Sequence, residues 1–119
     1  PHTQVIRAAQ RKRLILPESS ITYEYLTPTS SDPREAPKLE LILFRLNPQC
    51  WSRQDYAVHA AAEECITLLS GLLDVDCGSD TFRLREGDSI YLRSNQPHRV
   101  FNPGGGMAVA LSCLTPPVH

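Results

Sequence analysis

The chain has 119 residues, 41% of them hydrophobic, and its twelve basic and thirteen acidic side chains leave a formal charge of −1. That length suits one compact domain able to bury most of an apolar core, here a single domain over residues 1–119. The balanced charge gives no domain-wide positive field of the kind that holds nucleic acid by its phosphates, and no apolar run approaches the roughly 18 residues that cross a bilayer, so neither DNA nor a membrane is expected as a direct partner.

Taken in chain order, residues 3–9 contain Val5 and Ile6 and read as a short β-compatible run. Arg11-Lys12-Arg13 reads as a solvated turn rather than a binding patch. Leu14-Ile15-Leu16 is a short strand stopped by Pro17, and Ile21 to Leu26, rich in β-branched and aromatic residues, is a firmer one. Pro28, Pro33 and Pro37 mark a loop. Lys38 to Leu46 begins in alternation and turns apolar on both faces, as a strand does when it passes from a sheet edge into a sandwich.

Tyr56 to His59, Glu64 to Ser70 and Leu72 to Cys77 follow, with Gly71 punctuating the last two and a hairpin turn at Cys77-Gly78-Ser79-Asp80. Thr81 to Leu84, Ser89 to Leu92, His98 to Phe101 and Met107 to Leu114 complete the set, the last two joined by a turn with glycines at 104–106, residues that permit unusual backbone angles. Short strands at this spacing, without helical periodicity, predict an all-β sandwich or barrel.

Four cysteines, Cys50, Cys65, Cys77 and Cys113, are widely spaced without a C-x-x-C pair. With no secretory leader ahead of them, a reduced cytoplasmic thiol set is expected. The chain opens at Pro1 rather than methionine, which predicts either a processed chain or, the favoured reading, a piece of a longer protein.

Of four histidines, His2 and His119 sit at the termini, leaving His59 and His98 inside the fold. Alternation in the strand after His59 puts Glu64, Ile66 and Leu68 on one face and Glu63, Cys65, Thr67 and Leu69 on the other, so one of the adjacent glutamates points inward. A carboxylate inside a barrel is costly unless a metal, a cation or a hydrogen-bonding ligand meets it. His59, Glu64 and His98 therefore predict a site for a divalent ion such as zinc, nickel, iron or manganese, or a metal-free pocket in which the same groups hydrogen-bond an organic ligand. Metal affinity would fall on acidification through the histidine range, about pH 6–7. Arg45, Arg83, Arg85, Arg93 and Arg99 offer anion clamps; alternation sets Arg99 opposite His98, which favours Arg93. Tyr56, Tyr91 and Trp51 are candidates for the pocket mouth, and Cys65 reads as a small buried hydrophobe.

These two runs resemble the paired motifs of the cupin superfamily. The first motif, G-x5-H-x-H-x4-E-x6-G, places its second histidine on His59, its glutamate on Glu64 and its closing glycine on Gly71; the second, G-x5-P-x-G-x2-H-x3-N, falls on Gly87, His98 and Asn102. The chain departs from the pattern at Ala57, where the motif has its first histidine, at Trp51 in place of the opening glycine, at Arg93 in place of proline and at Asn95 in place of glycine. Asparagine tolerates a left-handed backbone better than most residues, which keeps that turn open to it.

The resemblance implies a double-stranded β-helix (jelly-roll) barrel of about ten antiparallel strands, with one of the usual metal ligands missing. A likeness over nearly the whole chain is to the C-terminal sensor domains of XRE-type helix-turn-helix regulators, carried by Val5-Ile6-Arg7, Ile21-Thr22-Tyr23-Glu24, Ala62-Glu63-Glu64, Glu86-Gly87-Asp88-Ser89, Pro97-His98-Arg99 and Thr115-Pro116-Pro117. It implies a non-catalytic, homodimeric, effector-sensing domain that reaches DNA only through an N-terminal domain outside this sequence. A stand-alone dioxygenase or isomerase using His59, Glu64 and His98 is the alternative.

Overall fold

A computed structural model of the protein describes residues 3–16, 18–30 and 32–117. His2, His119 and the expected strand stop at Pro17 lie outside the described residues. The described chain folds into β1 (Lys12–Ile15), β2 (Ile21–Tyr25), β3 (Glu40–Leu46), β4 (Glu63–Ser70), β5 (Leu73–Asp76), β6 (Thr81–Leu84), β7 (Ser89–Leu92), β8 (Arg99–Phe101) and β9 (Ala108–Thr115). All pairings are antiparallel. One sheet has six strands in the order β1-β2-β3-β9-β4-β7 and the other has three, β6-β5-β8. No helix among the described residues is long and apolar enough to cross a membrane.

Between the sheets lies an apolar core in which Leu46, Leu68, Leu73 and Val75 are wholly buried. The alternation of β4 is the one expected from its sequence, with Glu64, Ile66 and Leu68 buried and Glu63, Cys65 and Thr67 half-exposed. In β3, Glu40, Ile42, Phe44 and Leu46 are buried on one face, and Leu43 is buried on the other between Glu24 of β2 and Leu111 of β9. As an interior strand of the sheet, β3 has its outward Leu43 flanked by the side chains of both neighbours, while Leu41 and Arg45 on the same face stay half-buried.

The chain changes sheet between β4 and β5 at Gly71, whose φ is +92°. A Cβ there would lie 2.8 Å from the Met107 carbonyl oxygen, so the position demands a residue without one. Asn95 has φ +67°, the left-handed conformation its sequence position requires.

Three local expectations are corrected. Residues 3–9 form no strand; the segment leads into a single 3₁₀ turn at Ala8–Gln10 with Ile6 only half-buried, and among the described residues no strand pairs with it. Lys12 and Arg13 belong to β1 rather than a turn, since Arg13 lies opposite Glu24 and pairs with it at 3.2 Å. The turn at 104–106 needs no left-handed glycine. Asn102 shapes it instead, accepting from the Gly104 amide at 2.9 Å and donating to the Leu46 and Gly106 carbonyls at 2.9 and 2.8 Å.

Candidate metal centre and ligand cleft

Three backbone devices bring the site together. The pleat of β4 turns Glu64 into the barrel. His98, the residue before β8, forms a two-way bridge with Ala57, whose amide donates to the His98 carbonyl at 2.7 Å while the His98 amide returns a bond at 3.0 Å. The position lacking the motif histidine thus still fixes His98 through its backbone. His59 follows two residues later, its carbonyl accepting from the Asn95 amide at 3.2 Å.

His98 Nε2 lies 3.0 Å and His59 Nε2 3.6 Å from Glu64 Oε1. One donor atom from each residue falls within 4.8 Å of the others. The His98 Nδ1 lies 2.9 Å from the Gln96 carbonyl, so Nδ1 carries the hydrogen and Nε2 presents a lone pair to the site. Ser112 donates to Glu64 Oε2. Glu64 Oε1 is buried and has no hydrogen-bond donor when His98 is neutral. A lone pair of His98 facing a carboxylate oxygen at this distance calls for a cation between them, either a proton or a metal ion.

The electrostatics agree. Burial opposes the charge on Glu64, yet hydrogen bonds from His98 and Ser112 carry its carboxyl below the usual range. Burial likewise opposes charge on His98, but Glu64 and the Gln96 carbonyl raise it above the ordinary imidazole value. The residues present fit a divalent metal: two imidazoles and one oriented carboxylate, with the hydrogen bonds that orient metal ligands already in place.

The three groups open on a cleft of about 130 Å³, room for about four waters. Its apolar wall includes Phe44, Ile66 and Leu114, and its polar wall adds Tyr23, Ser52 and Arg53. Tyr23 faces inward by the alternation of β2, and burial raises its phenol while Arg53 opposes that. Sequence reasoning missed both. Tyr23 was legible from its period with Ile21; Arg53 was not, since residues 51–55 carry no periodicity.

Four residues expected at the ligand or the pocket mouth lie elsewhere, among them Trp51, which packs on Phe101 at 4.9 Å outside the cleft. Tyr91 stands opposite Cys65, on the outer face of the sheet, and bonds Glu63. Arg93 is exposed and stacks 4.8 Å over Tyr91. Tyr56 donates to Asp76 Oδ2 at 2.8 Å and does not line the cleft. Arg99, discounted on alternation, does reach the cleft wall but is engaged there: it meets Asp76 at 3.0 Å, stacks on Trp51 and Tyr56 at 4.2 and 4.7 Å and donates to the Gln54 carbonyl at 2.5 Å. It clasps the segment that carries Arg53. Arg45 and Arg83 are held by Glu24 and Asp74.

A model of the Cupin domain family (Cupin_2) matches residues 42–114. No curated protein sequence matches the chain. Among solved structures, the cupin domain of an XRE family transcriptional regulator from Enterobacter cloacae superposes with TM-score 0.69 at 18% identity, over 84% of this chain and 100% of that one. A sugar phosphate isomerase of the cupin superfamily from Silicibacter pomeroyi gives 0.72 at 17%, over 95% and 75%. The polyketide cyclase RemF from Streptomyces resistomycificus gives 0.76 at 19%, over 98% and 81%. The expectation of a non-catalytic domain is thereby overturned: enzymes and regulator domains share this barrel, and the fold leaves catalysis open.

Proposed function

The chain belongs to the cupin family, and we propose that it is an effector-binding cupin domain of a transcriptional regulator, holding a divalent ion on His59, Glu64 and His98 and a small anionic organic molecule in the cleft beside it. The observation that carries this reading is the convergence of three donor atoms within 4.8 Å on a cleft whose wall includes Arg53. Arg53 makes no hydrogen bond or ion pair with the described residues, so its guanidinium is available to a carboxylate or phosphate. Zinc, nickel, iron or manganese suits the donor set, and a bound ion would attract a ligand oxygen as a Lewis acid. Ala57 leaves the side of the cleft next to His98 without the imidazole that the motif has there.

The chain's own residues supply the rest. Ser112 orients Glu64, Gln96 fixes the His98 ring, and the apolar wall excludes water around the ligand. Regulation would work by linkage: an effector shifts the attached DNA-binding domains by no more than its differential affinity for two arrangements of a homodimer. The likeness to the regulator domain supports this use. A second reading, a metal-dependent isomerase or dioxygenase, is favoured by the Tyr23 phenol in the same cleft, a group able to move a proton.

The test is elemental analysis of protein loaded with zinc and then desalted, beside His98→Ala, which is expected to lose the ion. Metal retained equally by both proteins overturns the site. An in-frame helix-turn-helix segment encoded ahead of Pro1 supports the regulator, and an initiator methionine a few codons before it refutes that use.

A further inference from the structure

Cys65 of β4 and Cys113 of β9 are direct partners across the antiparallel ladder. Both thiols are free and half-buried. Opposed residues in such a ladder have Cα atoms about 4.5 or 5.5 Å apart, according to the kind of pair, and disulfides span about 4.4–6.8 Å. Either kind of pair therefore falls within reach of a bond. Alternation sends both side chains to the outer face, while their chain neighbours Glu64 and Ser112 point inward and bond each other across the same two strands. Cys65 is thus not the buried hydrophobe its strand position suggests, because β4 leaves that face partly open to solvent.

We propose that Cys65 and Cys113 form a reversible dithiol–disulfide site on the outer face of the large sheet, oxidised by a low-molecular-weight disulfide such as oxidised glutathione. One thiolate attacks the oxidant's S–S bond and releases the first small thiol; the second protein thiol displaces the other. One S–S bond forms between Cys65 Sγ and Cys113 Sγ and one breaks in the oxidant, which leaves as two thiols carrying the two protons. The new bond ties β4 to β9 at the rung beside the Glu64–Ser112 contact. Cys50 and Cys77 instead pack against the core, and neither has a cysteine as its ladder partner among the described residues.

The experiment treats reduced, metal-free protein with oxidised glutathione, counts thiols and maps peptides without reduction after cleavage before aspartate. That cleavage separates Cys65 (residues 55–73), Cys77 (76–79) and Cys113 (88–119). The free thiols are expected to fall from four to two, with residues 55–73 joined to 88–119 and the loss reversed by dithiothreitol. In Cys65→Ser the joined peptide is expected to vanish and a glutathione adduct to appear on Cys113. Stable glutathione adducts on both cysteines of the unaltered protein, or a bridge to Cys50 or Cys77, would overturn the proposal.

Discussion

Ser112→Ala tests the architecture of the site most directly. Ser112 is 5% exposed and its hydroxyl donates to Glu64 Oε2, while Oε1 faces the two histidines. Removing the hydroxyl leaves a buried carboxylate oxygen without its donor and, unlike a large-to-small core change, opens almost no cavity. Hydrogen bonds to charged groups contribute about 1.5–3 kcal/mol. At about 2.1 cal/mol/K of unfolding entropy per residue, the 119-residue chain melts with roughly 0.25 kcal/mol/K, so the midpoint should drop by about 6–12 °C. The assay is thermal unfolding by circular dichroism near neutral pH with a chelator present, repeated in a Glu64→Gln background. There the serine loses its charged partner and the penalty should shrink by at least half. A drop of the same size in both backgrounds would refute the reasoning, because the serine's contribution would then not pass through Glu64. With zinc supplied, Ser112→Ala should also weaken metal binding about 10–100-fold, as loss of a bond to a metal-binding carboxylate does.

Three further outcomes follow from the fold. Gly71→Ala must place a side chain at φ +92° and 2.8 Å from a carbonyl oxygen; it should cost over about 2 kcal/mol in urea unfolding, since the backbone conformation alone accounts for about 1–2. A cost below about 0.5 kcal/mol would contradict it. Asn102→Ala strips side-chain partners from the Leu46 and Gly106 carbonyls and the Gly104 amide; at about 1–3 kcal/mol each, the loss should approach the whole stability of a small domain and show as little folded protein. Glu24, 6% exposed, is held by a hydrogen bond from Arg45 and the charges of Arg13 and Arg11, and these lower its carboxyl despite burial. A lowered value means the stabilisation is present above the unfolded carboxyl value of about 4.3 and is lost as pH falls through the folded one. Glu24→Gln should therefore be less stable than the parent at neutral pH, with the gap closing in acid; a gap independent of pH from about 7 down to 2 would contradict it.

The placement of Glu64 was legible in the sequence because the side-chain period of a strand is two, and in β4 that period coincides with the apolar residues Ile66 and Leu68. Likewise, a turn at Asn95 followed from local chemistry, a residue tolerant of the left-handed backbone. What alternation could not reveal was which outward positions a neighbour covers. Arg99 faces away from His98 in the pleat, yet Asp76, Trp51 and Tyr56, the last two from a segment without periodicity, converge to make it a clasp. Tyr91 and Arg93 stand away from the His59–Glu64–His98 cleft because Tyr91 shares the outer face of the sheet with Cys65, and Arg93, just past β7, is exposed and stacks over the Tyr91 ring.

The sequence by itself determined an all-β barrel and most of its strands, and singled out two histidines and a glutamate as the candidate site. These depend on spacing and on the preferences of single residues, quantities a linear string carries. Only the tertiary structure decided that Ser112 and Gln96 set the orientation of those groups, that Arg53 and Tyr23 share their cleft, and that Cys65 stands opposite Cys113. Each of these is a pairing between strands or loops far apart in the chain, and register between distant strands is set by how the whole core closes rather than by any local run of residues.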